Sequence, residues 1–316
     1  MASRVLLSVD TELMWGHYAR GLGWEENLAL SFDPAGVGVP WQLEMLRAHG
    51  LKACFFVDPM PALAYGIEPV RHMVEPILEA GQEVQLHLHS FWVSVAEGVK
   101  GGANFELTCF DAERQRQLIE TARELLIAAG APEPIGFRSG SYAANAGTLA
   151  ALRSCGIRFD SSHNGSHHPD PSDLPLPPEA VAPVELDGVI ELPVGQIEDA
   201  PGRLRHLQLC AVSSEELEAA FEHAVAEDHP LTTLVSHSFE LASRDGQRPN
   251  RTLCRRFERL CAFLAEREHD LPTVHIADLH DIPLGRPARP LPPRSLRTAK
   301  RMAEQLWSNL VYERAL

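Results

Sequence analysis

The stretch Gly81-Gln82-Glu83-Val84-Gln85-Leu86-His87-Leu88-His89-Ser90 decides how this chain is read. Taken with a period of two, Val84, Leu86 and Leu88 fall on one face of a strand, and Glu83, Gln85, His87 and His89 fall on the other. Such a strand buries its apolar face against helices and turns two imidazoles the opposite way at its C-terminal end. Neutral imidazole is the commonest metal ligand, and an i, i+2 pair puts both rings on one side, where they can share an ion. A pair of hydrogen-bonded structural histidines fits the same ten residues, so the rest of the chain has to decide.

Outward from this strand, short apolar segments alternate with amphipathic helices. Strands are expected at Arg4 to Val9 and Lys52 to Val57, with helices over Pro40 to His49 and Val70 to Ala80, each ended by a glycine, Gly50 or Gly81. Asp111 is placed to cap a helix running to Ala129. Strands at Pro134 to Phe137 and Arg158 to Asp160 flank a helix from Asn145 to Ser154. The rhythm continues with Val189 to Leu192, Ser213 to Glu227, Leu231 to His237 and Pro249 to Arg267.

Strand and helix alternating at this spacing predict parallel strands joined by crossover helices. About seven such units without a glycine-rich nucleotide loop favour an α/β fold closed as a barrel over an open sheet. Ser161 to Pro183 is expected as a long loop at the face where barrel sites are built, with His163, His167 and His168 solvated in it. Residues 1–284 are assigned to the barrel. Residues 285–316 are read as a Pro/Arg-rich linker and a helix over Leu296 to Val311, docking on the barrel or on a second subunit of a homo-oligomer.

Composition narrows the function. The 316 residues are 45% hydrophobic and 22% charged, enough apolar content for a sizeable core. A formal net charge of -15 argues against nucleic acid and anionic membrane as partners. The six cysteines show no C-x-x-C spacing and read as buried free thiols in a reducing compartment. No secretion signal and no membrane-spanning run is visible, so the expected address is the cytoplasm.

In a parallel barrel the chemistry sits at the C-terminal ends of strands. Those ends carry Asp10 and Glu12, His87 and His89, Arg138, Asp160 and His237. Carboxylates, imidazoles and an arginine together are what metal-assisted hydrolysis needs: an ion to acidify water, a base to take its proton, an acid for the leaving group. Each residue also has a plainer reading. Asp10 and Glu12 can cap a turn, Arg138 and Asp160 can form a structural ion pair, and His237 can be a satisfied core histidine.

These residues resemble the polysaccharide deacetylase family of metal-dependent carbohydrate esterases, built on an irregular (β/α)7 barrel. The resemblance runs from about Arg4 to Ile282 in motif order: Ser8-Val9-Asp10, Lys52 to Val57, Gly81 to His87, Gly136 to Tyr142, Gly156 to Ser162 and Leu234 to His237. It implies Asp10 as catalytic base, Arg138 held by Asp160, and His237 as general acid. It also implies a divalent metal, zinc first, with cobalt, nickel or manganese as alternatives. Three positions depart from the family pattern. Thr11 stands where a second aspartate is usual, so the ligand role passes to Glu12. Phe91 replaces the second metal histidine, so His89 substitutes, and Gly140 replaces a proline.

The implied activity is hydrolysis of an N-acyl, most simply N-acetyl, group from a sugar or glycoconjugate. Two rivals stand beside it: an amidase acting on a small amide, and a degenerate barrel that only binds carbohydrate. A broad groove lined by Trp15, Trp24 or Trp92 would favour a saccharide, and a closed small pocket would favour the amidase.

Overall fold

The computed structural model describes residues 2–97 and 106–313. Its main sheet has the order β10-β1-β2-β3-β4-β5-β7-β6. These strands are β1 (Arg4–Thr11), β2 (Cys54–Val57), β3 (Glu83–Leu88), β4 (Gly136–Ser139), β5 (Phe159–Asp160), β6 (Val184–Leu186), β7 (Val189–Glu191) and, after a small hairpin β8 (Gln196–Ala200) and β9 (Arg203–His206), β10 (Leu231–His237). All pairings in this sheet are parallel except that of β6 with β7. The sheet curls, and single bridges Val194↔Thr233 and Gln208↔Val235 join the segments after β7 and β9 to β10. The result is an irregular, incompletely laddered α/β barrel.

Alternation along the strands sorts the core into two. Val5, Leu7 and Val9 of β1 and Val84, Leu86 and Leu88 of β3 pack outward into the helix layer. Leu6, Cys54, Phe56, Phe159 and Leu231 turn inward, where Ile276, Leu279 and Ile282 meet them. Each such fully buried side chain is worth about 1.5–3 kcal/mol. The carboxylate of Glu83 accepts the N–H groups of Ile276 (2.6 Å) and Ala277 (2.9 Å), pinning this apolar plug under the barrel. With the lower end filled, Ser8, Asp10, His87 and Arg138 form a buried polar layer at the upper end.

Local signals behave as their chemistry demands. The helix Val39–His49 stops at Gly50 in the left-handed region (φ 65°), where glycine carries no Cβ penalty. Asp111 Oδ1 accepts from Arg114 N (2.8 Å) and caps the helix Ala112–Ala128. The helix Ser295–Ser308 docks through charge: Arg301 bonds Asp199 and Glu216 in a buried cluster.

Several expectations need correction. His163 is fully buried, because Glu191 accepts its N–H (2.9 Å) and its carbonyl accepts from Val194 N (2.9 Å), drawing the start of the loop into the barrel wall. Only Cys54, Cys254 and Cys261 are buried, whereas Cys109 is exposed and Cys155 and Cys210 are half-buried. No described helix is long and apolar enough to cross a membrane.

Candidate metal and catalytic site

The strand ends converge. β1 runs in register with β10, so Asp10 lies opposite His237, and β3 runs in register with β4, so His87 lies opposite Arg138. Glu12 and His89 follow one residue beyond the ends of β1 and β3. The ligand atoms of Glu12, His87 and His89 all lie within 4.8 Å of one another. Glu12 Oε2 touches His89 Nε2 and stands 3.9 Å from His87 Nε2.

The chemistry of this donor set fits a divalent ion of the zinc type. His87 Nδ1 donates to the Arg138 carbonyl (2.7 Å), which leaves the Nε2 lone pair aimed at Glu12 and His89. Burial pushes His87 down to about 4, despite the Asp10 carboxylate, so the ring is neutral at neutral pH, the form able to ligate an ion. Burial would also lower His89 and raise Glu12. Their mutual contact outweighs it, holding the imidazole above and the carboxyl below its ordinary value. Two imidazoles and one carboxylate leave coordination positions open, the pattern of a catalytic site.

Asp10 sits beside this trio and belongs to Arg138. Arg138 Nη1 donates to Asp10 Oδ1 (2.6 Å) and Ser8 Oγ (2.9 Å), with its plane over the Phe56 ring at 4.3 Å. Burial would raise the Asp10 carboxyl, but Arg138, then His87 and His237, hold it below its ordinary range. Asp10 Oδ2 stands 4.0 Å from His237 Nε2. The pairing expected between Arg138 and Asp160 is not formed. Ser161 instead takes Nε through its carbonyl (3.1 Å) and Nη2 through its hydroxyl (3.0 Å). Asp160 accepts from Ser162 (2.6 Å) and lies opposite Glu191, its register partner on β7, with burial holding both carboxyls above their ordinary values.

Three contributors escaped the sequence reading. Gln208 Nε2 faces both the acceptor-only Glu240 Oε1 (3.0 Å) and His237 Nδ1 (3.2 Å). The amide therefore donates to Nδ1, and the neutral ring carries its proton on Nε2, towards Asp10. Glu240 Oε2 also accepts the His237 N–H (3.0 Å). Asp58, directly after β2, is buried, bonds the Met60 N–H (3.0 Å) and leaves Oδ2 without a partner. Burial raises it to about 7 against the pull of His89. Extending the strand-end rule by one residue past Val57 would have found it.

The aromatic groove is not formed. Trp92 is fully buried, packed edge-on against Trp15 (5.6 Å), and Trp24 lies against His72 (5.3 Å).

Comparison with solved structures identifies the architecture. A protein of Mycobacterium smegmatis designated a polysaccharide deacetylase superposes with a TM-score of 0.58 at 20% identity, over 92% of this chain and 94% of its own. The chain has a polysaccharide deacetylase-type fold. A 4-alpha-glucanotransferase from Thermococcus litoralis matches at 0.52 and 12% identity, over 88% of this chain and 40% of its own. A family 4 carbohydrate esterase from Streptomyces lividans, in complex with acetate, matches at 0.42 and 16% identity, over 92% and 98%. No family model and no curated protein sequence matches the chain.

Proposed function

We propose that this protein is a divalent-metal-dependent hydrolase that removes an N-acyl group from an amino sugar or glycoconjugate. The observation that carries the reading is the meeting of a three-donor cluster, Glu12, His87 and His89, with Asp10 and His237 on one barrel face. A zinc-like ion held there would supply Lewis acidity to the amide carbonyl and to water. Asp10, ionised and fixed by Arg138 through Oδ1, offers Oδ2 as proton acceptor. His237, its tautomer set by Gln208, presents Nε2–H to the departing nitrogen. Unpaired cysteines fit a reducing compartment, which agrees with a cytoplasmic address.

The small-amide reading keeps a place beside it, because Trp92 is buried and the space next to His237 is a pocket, not an aromatic groove. The test is metal analysis of purified protein followed by turnover of N-acetylated amino sugars and of simple amides with the loaded enzyme. Stoichiometric metal and amino-sugar release support the reading. Release from simple amides alone moves the assignment to the amidase, and metal binding without any turnover leaves a binding protein.

A further inference from the structure

Beside His237 lies a pocket of about 390 Å³ that the reaction chemistry leaves unused. Its apolar lining is Met14, Leu30, Pro34, Phe239, Ala242 and Leu253, beside the polar side chains of His17, Gln208, His237, Glu240, Ser243 and Arg244. It adjoins the catalytic face, since His237 is part of its lining.

Most polar groups in its lining already have partners: His17 meets Arg20, Ser243 donates to Asp245, and among the described residues only the exposed Arg244 side chain is uncommitted. Both oxygens of Glu240 accept bonds, from Gln208 and Cys210 N on one side and His237 N on the other. The Gln208 amide is spent on Glu240, His237 and His206. A sugar ring, whose hydroxyls need fresh partners, finds few here. An alkyl chain needs none.

We infer that this pocket holds the acyl group of the substrate and that the acyl group is longer than acetyl, an apolar chain of roughly six to eight carbons. A cavity of ~150 Å³ already takes benzene, so an acetyl methyl would leave most of this space empty. The inference rests on the N-acyl hydrolase reading and names its substrate class. The reaction is amide hydrolysis. Water's oxygen adds to the acyl carbon while its proton goes to Asp10 Oδ2, and the C–N bond breaks with its electron pair on nitrogen. That nitrogen takes a proton from His237 Nε2, and the products are a fatty carboxylate and a free amine.

The experiment compares N-acyl glucosamines from acetyl to octanoyl on the metal-loaded enzyme, with a second series holding the acetyl group constant and lengthening an alkyl group on the amine side. Each buried methylene should raise kcat/KM by about four-fold, giving about 10²-fold from acetyl to hexanoyl. Ala242→Leu and Leu30→Trp, which each enlarge a lining residue, should each collapse the hexanoyl-to-acetyl ratio. Saturation-transfer NMR on metal-free protein gives a readout independent of turnover: the terminal methyl of bound N-hexanoyl glucosamine should receive the strongest transfer. Turnover that is flat or falling with acyl length overturns the inference while leaving the hydrolase reading intact. A gain confined to the amine-side series also overturns it. No turnover on any N-acyl sugar, combined with no saturation of the chain, removes both.

Discussion

The imidazole of His89 occupies the space that a side chain on residue 140 would fill. A Cβ built on Gly140 would lie 2.4 Å from His89 Nδ1 and 2.6 Å from Cε1. Two of the positions where the sequence departs from the pattern it resembles are therefore one adjustment: the ring placed by His-x-His needs residue 140 bare. Phe91, the third departure, packs its ring 5.1 Å from that of His89 and closes the other side. Gly140→Ala should displace His89 and weaken zinc binding about 10–100-fold, the usual cost of disturbing the support of a ligand. Calorimetric titration of the metal-free protein checks this. Wild-type affinity in the variant would show that His89 is not a ligand.

Asp10 and His237 should differ in what their loss does to the fold. Asp10→Asn leaves the Arg138 guanidinium buried without its anion, a defect that typically costs 3–5 kcal/mol. His237 is 21% exposed, and His237→Ala should unfold near the wild-type midpoint. Both variants should lose about 10²–10⁴-fold in kcat. Urea melts and turnover on one set of samples separate the effects. Near-normal turnover of His237→Ala would remove it as the proton donor.

Gln208→Leu should lower kcat about 10–100-fold with little change in KM, because it frees the His237 ring to adopt the wrong tautomer. The size of the pocket changes little in this variant. A rise in KM at constant kcat would mean that Gln208 binds substrate and does not orient the acid.

The Asp160–Glu191 pair sets a pH dependence of stability. Burial, then the neighbouring Asp160 charge, raises Glu191 well above its ordinary value, and burial raises Asp160 to about 6. A carboxyl raised in the folded state stabilises fully below its unfolded pKa, about 4, and loses that contribution as pH climbs through the folded value. Glu191→Gln keeps an acceptor for His163 and supplies a permanent donor to Asp160. Its stability advantage over wild type should therefore grow between about pH 5 and pH 8. A gap independent of pH would mean that the two carboxyls are not held above their ordinary values.

Much of this was legible because strand ends in a parallel barrel are read by alternation, and Val84 to His89 alternates without a break. The pairing of His87 with His89 on one face follows from that pattern, and their nearness to Glu12 from reading the strand ends together. The hairpin Gln196–Ala200 and Arg203–His206 was not visible, since its residues are mostly polar and ionic and lack an apolar face. Asp160 was placed on the correct strand end but with the wrong partner: the serine hydroxyl and carbonyl that hold Arg138 leave no mark in a motif. Whether Trp15, Trp24 or Trp92 lines a groove was left open, because a single tryptophan carries no sign of which way it points.

The closure of the barrel has a mechanical consequence. β1, which carries the base, lies between two full ladders, to β10 and to β2. β10, which carries the acid, has a full ladder on one side only. On the other it is stitched by Gly195 N to Thr233 O, Val235 N to Leu207 O and Leu209 N to Val235 O. Asp10 is thus mounted on the stiff member and His237 beside the compliant one. Because Asp10 and His237 are register partners in the full β1–β10 ladder, any widening of the mouth is taken up at this seam and leaves the spacing of proton acceptor and proton donor unchanged.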